Sequence, residues 1–214
     1  RICFHDEYLQ AFNQPNVHLV DTDGHGVQQI GPEGPVVDGV TYPLDLLIYA
    51  SGFEVTTGAV SRLGFDPVGR NGTKLSDRWA DGAHTLHGIL TAEFPNFFVC
   101  HFVQAGFGLN FTHYLGELAE HISWLVATLL EEGVEAIEAT TDAEDAWLAQ
   151  LWEAGKAFGR YSATCTPSYG NSEGARTMAA ARNVVYPGNL MNYVALLDAW
   201  REEGGSPGTV VRRR

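Results

Sequence analysis

The sequence predicts an α/β fold, and three stretches carry that reading. Leu44-Asp45-Leu46-Leu47-Ile48-Tyr49 reads as a strand. Four of its first five residues are Leu or Ile, without alternation, so both faces should be covered, as in a parallel sheet. The strand runs into Ala50-Ser51-Gly52-Phe53, where glycine lets the backbone turn sharply or approach a ligand. A second short apolar strand, Asn96-Phe97-Phe98-Val99-Cys100-His101, follows Pro95 and leads to the loop Gln104–Asn110. That loop opens a long helix, in which Leu115, Leu118, Ile122, Leu125, Val126 and Leu129 form one apolar stripe. Ligands of open α/β sheets sit beyond the carboxyl ends of strands, so the two strand-to-loop junctions are the expected ligand side.

The remaining elements follow in order. Arg1 to Asn13 has no clean period, and the opening reads as though cut from something longer. Asn16–Asp21 reads as a short strand and Thr22–Gly26 as a turn. Val36-Val37-Asp38-Gly39-Val40-Thr41-Tyr42 predicts a hairpin, because Asp-Gly supplies two positive-φ positions between β-formers. Asn71-Gly72 predicts a second hairpin turn, between Phe65–Arg70 and Thr73–Leu75, and Asp81-Gly82 a further turn. Asn110 or Thr112 caps the long helix and Gly133 stops it. Val134–Ala139 is a short strand. Thr141-Asp142-Ala143-Glu144 has the capping-box pattern and opens a helix that packs through Trp147, Leu151 and Trp152. Cys165–Gly174 reads as a loop. Asn189 caps a last helix with a face of Leu190, Val194, Leu197 and Trp200, ended by Gly204-Gly205, and Arg212-Arg213-Arg214 reads as a frayed tail.

Bulk properties narrow the function. The net charge of −13 argues against nucleic acid as a partner. The segment from Glu117 to Glu153 holds ten acidic residues and no Lys or Arg, as solvated helix faces do. No apolar run reaches membrane-spanning length and no signal peptide opens the chain, so a cytoplasmic protein with no membrane partner is expected. Cys3, Cys100 and Cys165 are odd in number and form no CxxC, which suggests reduced thiols, with neither a disulfide framework nor a zinc site. His84 and His87 stand three apart without a third ligand nearby, so no metal site is assigned. Gly24-His25-Gly26-Val27-Gln28-Gln29 fails as a dinucleotide fingerprint. No Walker A or GxSxG spacing occurs.

Several stretches together resemble the C-terminal part of Baeyer–Villiger and flavin-containing monooxygenases. They are Arg1-Ile2-Cys3 with Phe12-Asn13-Gln14-Pro15-Asn16-Val17, Asp45 to Phe53, Trp79-Ala80-Asp81-Gly82 with Thr85-Leu86-His87-Gly88, Phe94-Pro95-Asn96-Phe97-Phe98, Cys165 to Gly174, and Tyr193 through Arg201. The likeness runs in order along nearly the whole chain. Ser51 stands where the family's Ala-Thr-Gly-Phe element has Thr, which keeps the hydroxyl.

The resemblance implies a partial FAD/NAD(P)-binding Rossmann-like fold. Residues 1–44 would be the end of an NADPH-binding domain and 45–214 the C-terminal half of an FAD-binding domain, with Leu44–Phe53 the crossover between them. It implies FAD and NADPH as cofactors, a small-molecule ketone and O2 as substrates, and an ester or lactone as product. The family's glycine fingerprints and FxGxxxHxxxWP signature lie upstream of the residues matched here. The partner is therefore the missing N-terminal part of the same protein, and the isolated chain is expected to be inactive.

Arg1 matches the catalytic arginine by its spacing to Phe12-Asn13. Ala50, Ser51, Gly52, Phe53, Gln104, Asn110, Tyr169 and Asn171 match cofactor-binding positions, while Phe107 and Leu109 match positions facing substrate. Many members carry a Trp in the loop equivalent to Thr166–Asn171, and this chain has none between Cys165 and Gly174. The alternatives are an N- or S-oxygenating flavin monooxygenase, and a truncated non-catalytic module that binds or oligomerises through the Leu115–Leu129 face.

Overall fold

The structure is a computed structural model that describes residues 4–52, 60, 63–162, 164, 174 and 177–213. Its contacts divide the chain into two units, Arg1–Gly52 and Phe53–Arg214.

The first unit is built from local turns. A single helical turn, α1 (Tyr8–Ala11), sets Tyr8 edge-on to Phe12 with ring centroids 5.3 Å apart. In the expected turn after residue 21, Asp23 and Gly24 take φ of 48° and 75°, and His25 N–H donates to the Thr22 carbonyl at 2.8 Å. Strands β1 (Gln29–Ile30), β2 (Pro35–Val37) and β3 (Val40–Thr41) form an antiparallel meander. The predicted hairpin is present. Val37 pairs with Val40 across Asp38 and Gly39, whose φ of 50° and 78° suit a primed turn. Gln28 steadies this turn by accepting from Asp38 N–H at 2.8 Å.

Two expectations in this unit need correction. Leu44–Tyr49 is not a buried parallel strand. It is irregular, and Leu46, Ile48 and Tyr49 expose 73, 76 and 71% of their surface. A run apolar on both faces becomes a strand only where neighbours pair its backbone and other layers cover it. Among the described residues the Leu44 N–H donates to the Glu33 carbonyl at 3.0 Å, but no strand pairs with the run and no layer covers Leu46, Ile48 or Tyr49. Asn16–Asp21 likewise lies outside any strand. Among the described residues of this unit only Val37 is fully buried.

The second unit has its own core. Asn71 and Gly72 turn with φ of 59° and 79° within a 3-10 turn (Arg70–Gly72), and the hairpin there is a single bridge between Val68 and Lys74. After α2 (Leu75–Arg78), Gly82 N–H closes the expected turn on the Trp79 carbonyl at 2.9 Å. The long helix α3 spans Phe111–Glu131. Asn110 caps it by accepting from His113 N–H, and Gly133 follows its end with φ of 70°. Strand β4 (Val134–Ala139) forms as expected, and helix α4 (Thr141–Ser162) follows. Helix α5 (Met178–Arg182) is short. Helix α6 (Leu190–Glu203) is capped by Asn189 and ended by Gly204 and Gly205, both at positive φ.

Four sequence readings shift here. Asn96–His101 is not a strand: only Phe98 bridges, to Leu90. Arg212 and Arg213 are not frayed, because β5 (Thr209–Arg213) pairs antiparallel with β4, and they meet Glu135 and Glu132 at 3.2 and 3.6 Å; Arg214 lies outside the described residues. The buried stripe of α3 is rotated. Tyr114 and His121 lie inside with Leu118, Leu125 and Leu129, while Val126 is exposed. The tyrosine is admitted because its hydroxyl donates to the His101 carbonyl at 2.7 Å. Finally, the cap of α4 is Thr140, whose hydroxyl accepts from Ala143 N–H at 3.2 Å. Glu144 is thereby released from capping and turns inward. Trp147 and Leu151 pack as expected, whereas Trp152 is 41% exposed.

Two histidines beside Trp200 give the core a pH dependence. His121 is buried between α3 and α6, its ring 5.5 Å from that of Trp200, and Arg201 Nε donates to its Nδ1 at 3.0 Å. The half-buried His87 lies 5.9 Å from Trp200 on another side. Burial pushes His87 down to about 4; burial, with the Arg201 charge, pushes His121 down to about 3. Both are held neutral in the fold, whereas unfolded they titrate near the ordinary value of 6.5. Their contribution is therefore full above pH 6.5 and is lost as pH falls from there toward the folded values, by up to about 1.4 kcal/mol per pH unit for a fully buried group. The urea midpoint should fall between pH 7 and pH 5, and His121→Gln should flatten that slope. An unchanged slope in the variant would assign the acid sensitivity elsewhere.

Candidate functional site

The loop from Gln104 to Asn110 passes from the interior to the surface within seven residues. Its base is tied down. Gln104 and Ala105 are fully buried; Gln104 N–H donates to the Val184 carbonyl at 2.6 Å, and the Ala105 carbonyl accepts from Tyr186 N–H at 2.9 Å. Gly106 follows, against the ring of Tyr193: a Cβ there would lie 2.5 Å from a ring carbon, so this approach requires glycine. Tyr193 is itself fixed, its hydroxyl donating to the His87 carbonyl at 2.6 Å.

The tip of the loop is open. Phe107 and Leu109 are 47% and 76% exposed, and Phe111 is 42% exposed. Phe102 meets Phe107 and Phe111 edge-on at 5.9 and 6.4 Å, forming an aromatic ledge under the tip. The start of α3 opens beside it. Asn110 serves the His113 N–H through its side chain and the Tyr114 N–H through its carbonyl. The Phe111 and Thr112 N–H groups have no acceptor among the described residues. The first turn carries no acidic side chain, so the positive end of the helix dipole is uncompensated. Chemically this is an apolar ledge beside free backbone donors, which suits a flat, largely apolar ligand with acceptor oxygens at one edge.

The structure gathers Gln104, Phe107, Leu109 and Asn110 in this loop. Ala50, Ser51 and Gly52 lie in the first unit, exposed, with Gly52 at φ of 82°. Arg1, Phe53, Tyr169 and Asn171 lie outside the described residues. Gln104, assigned in the sequence as a cofactor contact, is fully buried with its side-chain amide bonded inside the protein. Its Oε1 accepts from Thr85 N–H and Oγ1–H at 3.1 and 2.6 Å, and its Nε2 donates to the Ala83 and Arg182 carbonyls at 2.6 and 3.1 Å.

Other polar residues brace this region in roles that the sequence did not assign to them. Glu144 is buried, accepting from Ala92 N–H at 2.7 Å and Thr91 Oγ1–H at 3.0 Å and pairing with Arg78. Burial pushes its carboxyl up, against the pull of these donors. Asp81 holds His84 Nε2 at 2.8 Å and Arg182 Nε at 3.1 Å, and the bond with His84 keeps its carboxyl below the usual range. Among the described residues no three His, Cys, Asp or Glu side chains gather as a metal set. No helix there is long and apolar enough to cross a membrane.

No family model matches the chain. Curated relatives match nearly all of it. A Streptomyces exfoliatus pentalenolactone D synthase is 41% identical over 99% of the chain and 37% of its own length. A Hypomyces subiculosus FAD-binding monooxygenase is 40% identical over 97% and 35%. A Streptomyces coelicolor Baeyer–Villiger monooxygenase is 42% identical over 95% and 34%. Among solved structures, the polycyclic ketone monooxygenase of Thermothelomyces thermophila superposes with a TM-score of 0.78 at 36% identity, covering 97% of this chain and 34% of that one. A closed cyclohexanone monooxygenase gives 0.82 at 26% identity, covering 98% and 38%. The chain thus spans about a third of the length of the relatives it matches.

Proposed function

We propose, from the premise that this chain is a homologue of the Baeyer–Villiger monooxygenases matching their C-terminal portion, that it completes an FAD- and NADPH-dependent enzyme. That enzyme inserts one oxygen atom of O2 next to a ketone carbonyl to give an ester or lactone. Residues 1–44 belong to the NADPH-binding domain and 45–214 to the FAD-binding domain. The remaining partner is the N-terminal part of the same protein, and the location is cytoplasmic.

The observation that carries this reading is the loop Gln104–Asn110, with its apolar ledge and the uncompensated start of α3. The residues present fit a flavin ring. The Phe111 and Thr112 N–H groups would meet its carbonyl edge, and Asn110 keeps them aligned by capping the turn. Phe107 and Leu109 would exclude water from the reacting face and orient the ketone. Ala50, Ser51, Gly52 and Phe53 would also contact the flavin, and Tyr169 and Asn171 would hold NADPH. FAD, when bound, would supply the redox chemistry that activates O2, with NADPH as the source of electrons. Arg1 supplies a permanent positive charge for the oxygen anion that develops on the carbonyl.

The exposed, both-face-apolar Leu44–Tyr49 supports the partner assignment, because such a run is at rest only between neighbours that the described residues of its unit do not provide. The experiment is turnover of the longer protein with NADPH, 18O2 and a cyclic ketone. One 18O atom in the ester or lactone is expected. Oxygen transfer to an amine or sulfide only would favour the heteroatom-oxygenating reading, and no NADPH-dependent product of any kind would refute an oxygenase.

A further inference from the structure

We propose that Gln104 is the positioning residue of the site loop: it touches neither flavin nor ketone, and it sets where Phe107 and Leu109 stand. The inference rests on the monooxygenase reading above.

Gln104 stands with φ of 57°, a conformation that glycine adopts far more cheaply than glutamine. It is also fully buried. A long polar side chain in a strained, dry position is retained only if its bonds repay both costs. Here every hydrogen-bonding group of the residue is used. The amide bridges Ala83 and Thr85 on one side to Arg182 on the other. Its N–H reaches Val184, and its carbonyl accepts from Trp147 Nε1 at 2.9 Å. Three separate chain segments therefore converge on the residue from which the loop departs. Thr85 extends the network, since its Oγ1 accepts from Gly88 N–H at 3.0 Å.

The geometry downstream has little other freedom. Gly106 is pinned against Tyr193 and Gly108 against Leu190, so the direction in which the chain leaves Gln104 decides where Phe107 and Leu109 emerge. A glutamate at position 104 keeps the shape but aims a carboxylate oxygen at the Ala83 and Arg182 carbonyls, where two donors are required. The loop would then shift without loss of the core.

In the coupled reaction, NADPH, H+, O2 and ketone give NADP+, water and ester. When the ketone is misplaced, NADPH, H+ and O2 give NADP+ and hydrogen peroxide, with the same two electrons transferred. A displaced loop therefore moves product from ester to peroxide without stopping NADPH oxidation.

The test compares wild type, Gln104→Glu and Thr85→Val in the FAD-loaded longer protein, with cyclohexanone and a fused-ring ketone as probes. FAD per chain, NADPH consumed, ester formed, peroxide released and KM for the ketone are measured. In Gln104→Glu, FAD content should stay near wild type and ester per NADPH should fall by about tenfold or more, with peroxide making up the difference. Thr85→Val, which removes one hydroxyl of the network, should move the same ratio in the same direction by less. Unchanged coupling and KM in both flavin-loaded variants would overturn the inference. So would loss of FAD and activity in parallel in both, which would make Gln104 a brace of the fold alone. A wild type that forms no ester from any ketone overturns instead the monooxygenase reading beneath it.

Discussion

Replacing Arg1 by alanine in the longer protein is expected to leave reduction of the flavin by NADPH intact and to lower ester formation by about 10²–10³-fold. Carbonyl oxygenation builds negative charge on oxygen at the reacting centre. A guanidinium is suited to that position because it stays charged at every working pH and offers several donors in a fixed fork. The effect should divide between half-reactions. NADPH-driven bleaching of the flavin absorbance, followed without oxygen, should keep its rate, while ester formed under oxygen collapses. Arg1→Lys should recover part of the loss, since charge is kept and the fork is not. Normal ketone oxygenation in Arg1→Ala would remove Arg1 from the mechanism. Slowed reduction with normal oxygenation of prereduced enzyme would move its role to NADPH.

The largest expected effect on stability is at Glu144. Glu144→Ala should destabilise the second unit by about 3–5 kcal/mol, the scale of breaking a buried ion pair from one side. Arg78, whose side chain is 15% exposed, would keep its charge without its partner, and the Thr91 hydroxyl and Ala92 N–H would lose their acceptor. Glu144→Gln keeps an acceptor for Ala92 and should cost less. Urea denaturation of the two variants with wild type decides it. A midpoint for Glu144→Ala within about 0.5 kcal/mol of wild type, the scale of surface substitutions, would show that the buried carboxylate is dispensable.

Glu144 also marks a boundary of what the sequence discloses. Local chemistry is legible. Asp38-Gly39 makes its hairpin, and Asn110 and Asn189 cap their helices, because each device needs only residues within three or four positions. Glu144 was legible as a pattern and misread in role. Thr140 and Thr141 both suit a cap, and the choice between them decides whether the glutamate reaches its own helix or an arginine 66 residues away. His121 answers to Arg201 at a separation of 80 and Gln104 to Arg182 at 78, so no local period could reveal that they are inside. The loop Gln104–Asn110 is legible as a loop that opens a helix, because a glycine-rich stretch before an amphipathic run is a local signal. The full use of the Gln104 amide is a tertiary fact, and the positioning role proposed for that residue rests on it.

Leu44–Tyr49 makes the complementary point. Its composition is that of a buried strand, and its exposure in the first unit follows from the absence of neighbours among the described residues. Composition records the environment in which a segment comes to rest, which can include residues outside the chain that carries it.

Flavin retention tests the central proposal most directly. The 214-residue chain and the longer protein that contains it are each purified with excess FAD and desalted, and bound FAD is read from the absorbance near 450 nm. The longer protein should retain about one FAD per chain, while this chain alone should be colourless, because the proposed reading gives it only part of the flavin's contacts. Stoichiometric FAD on the isolated chain would contradict the proposal that the site is completed by the N-terminal part of the protein.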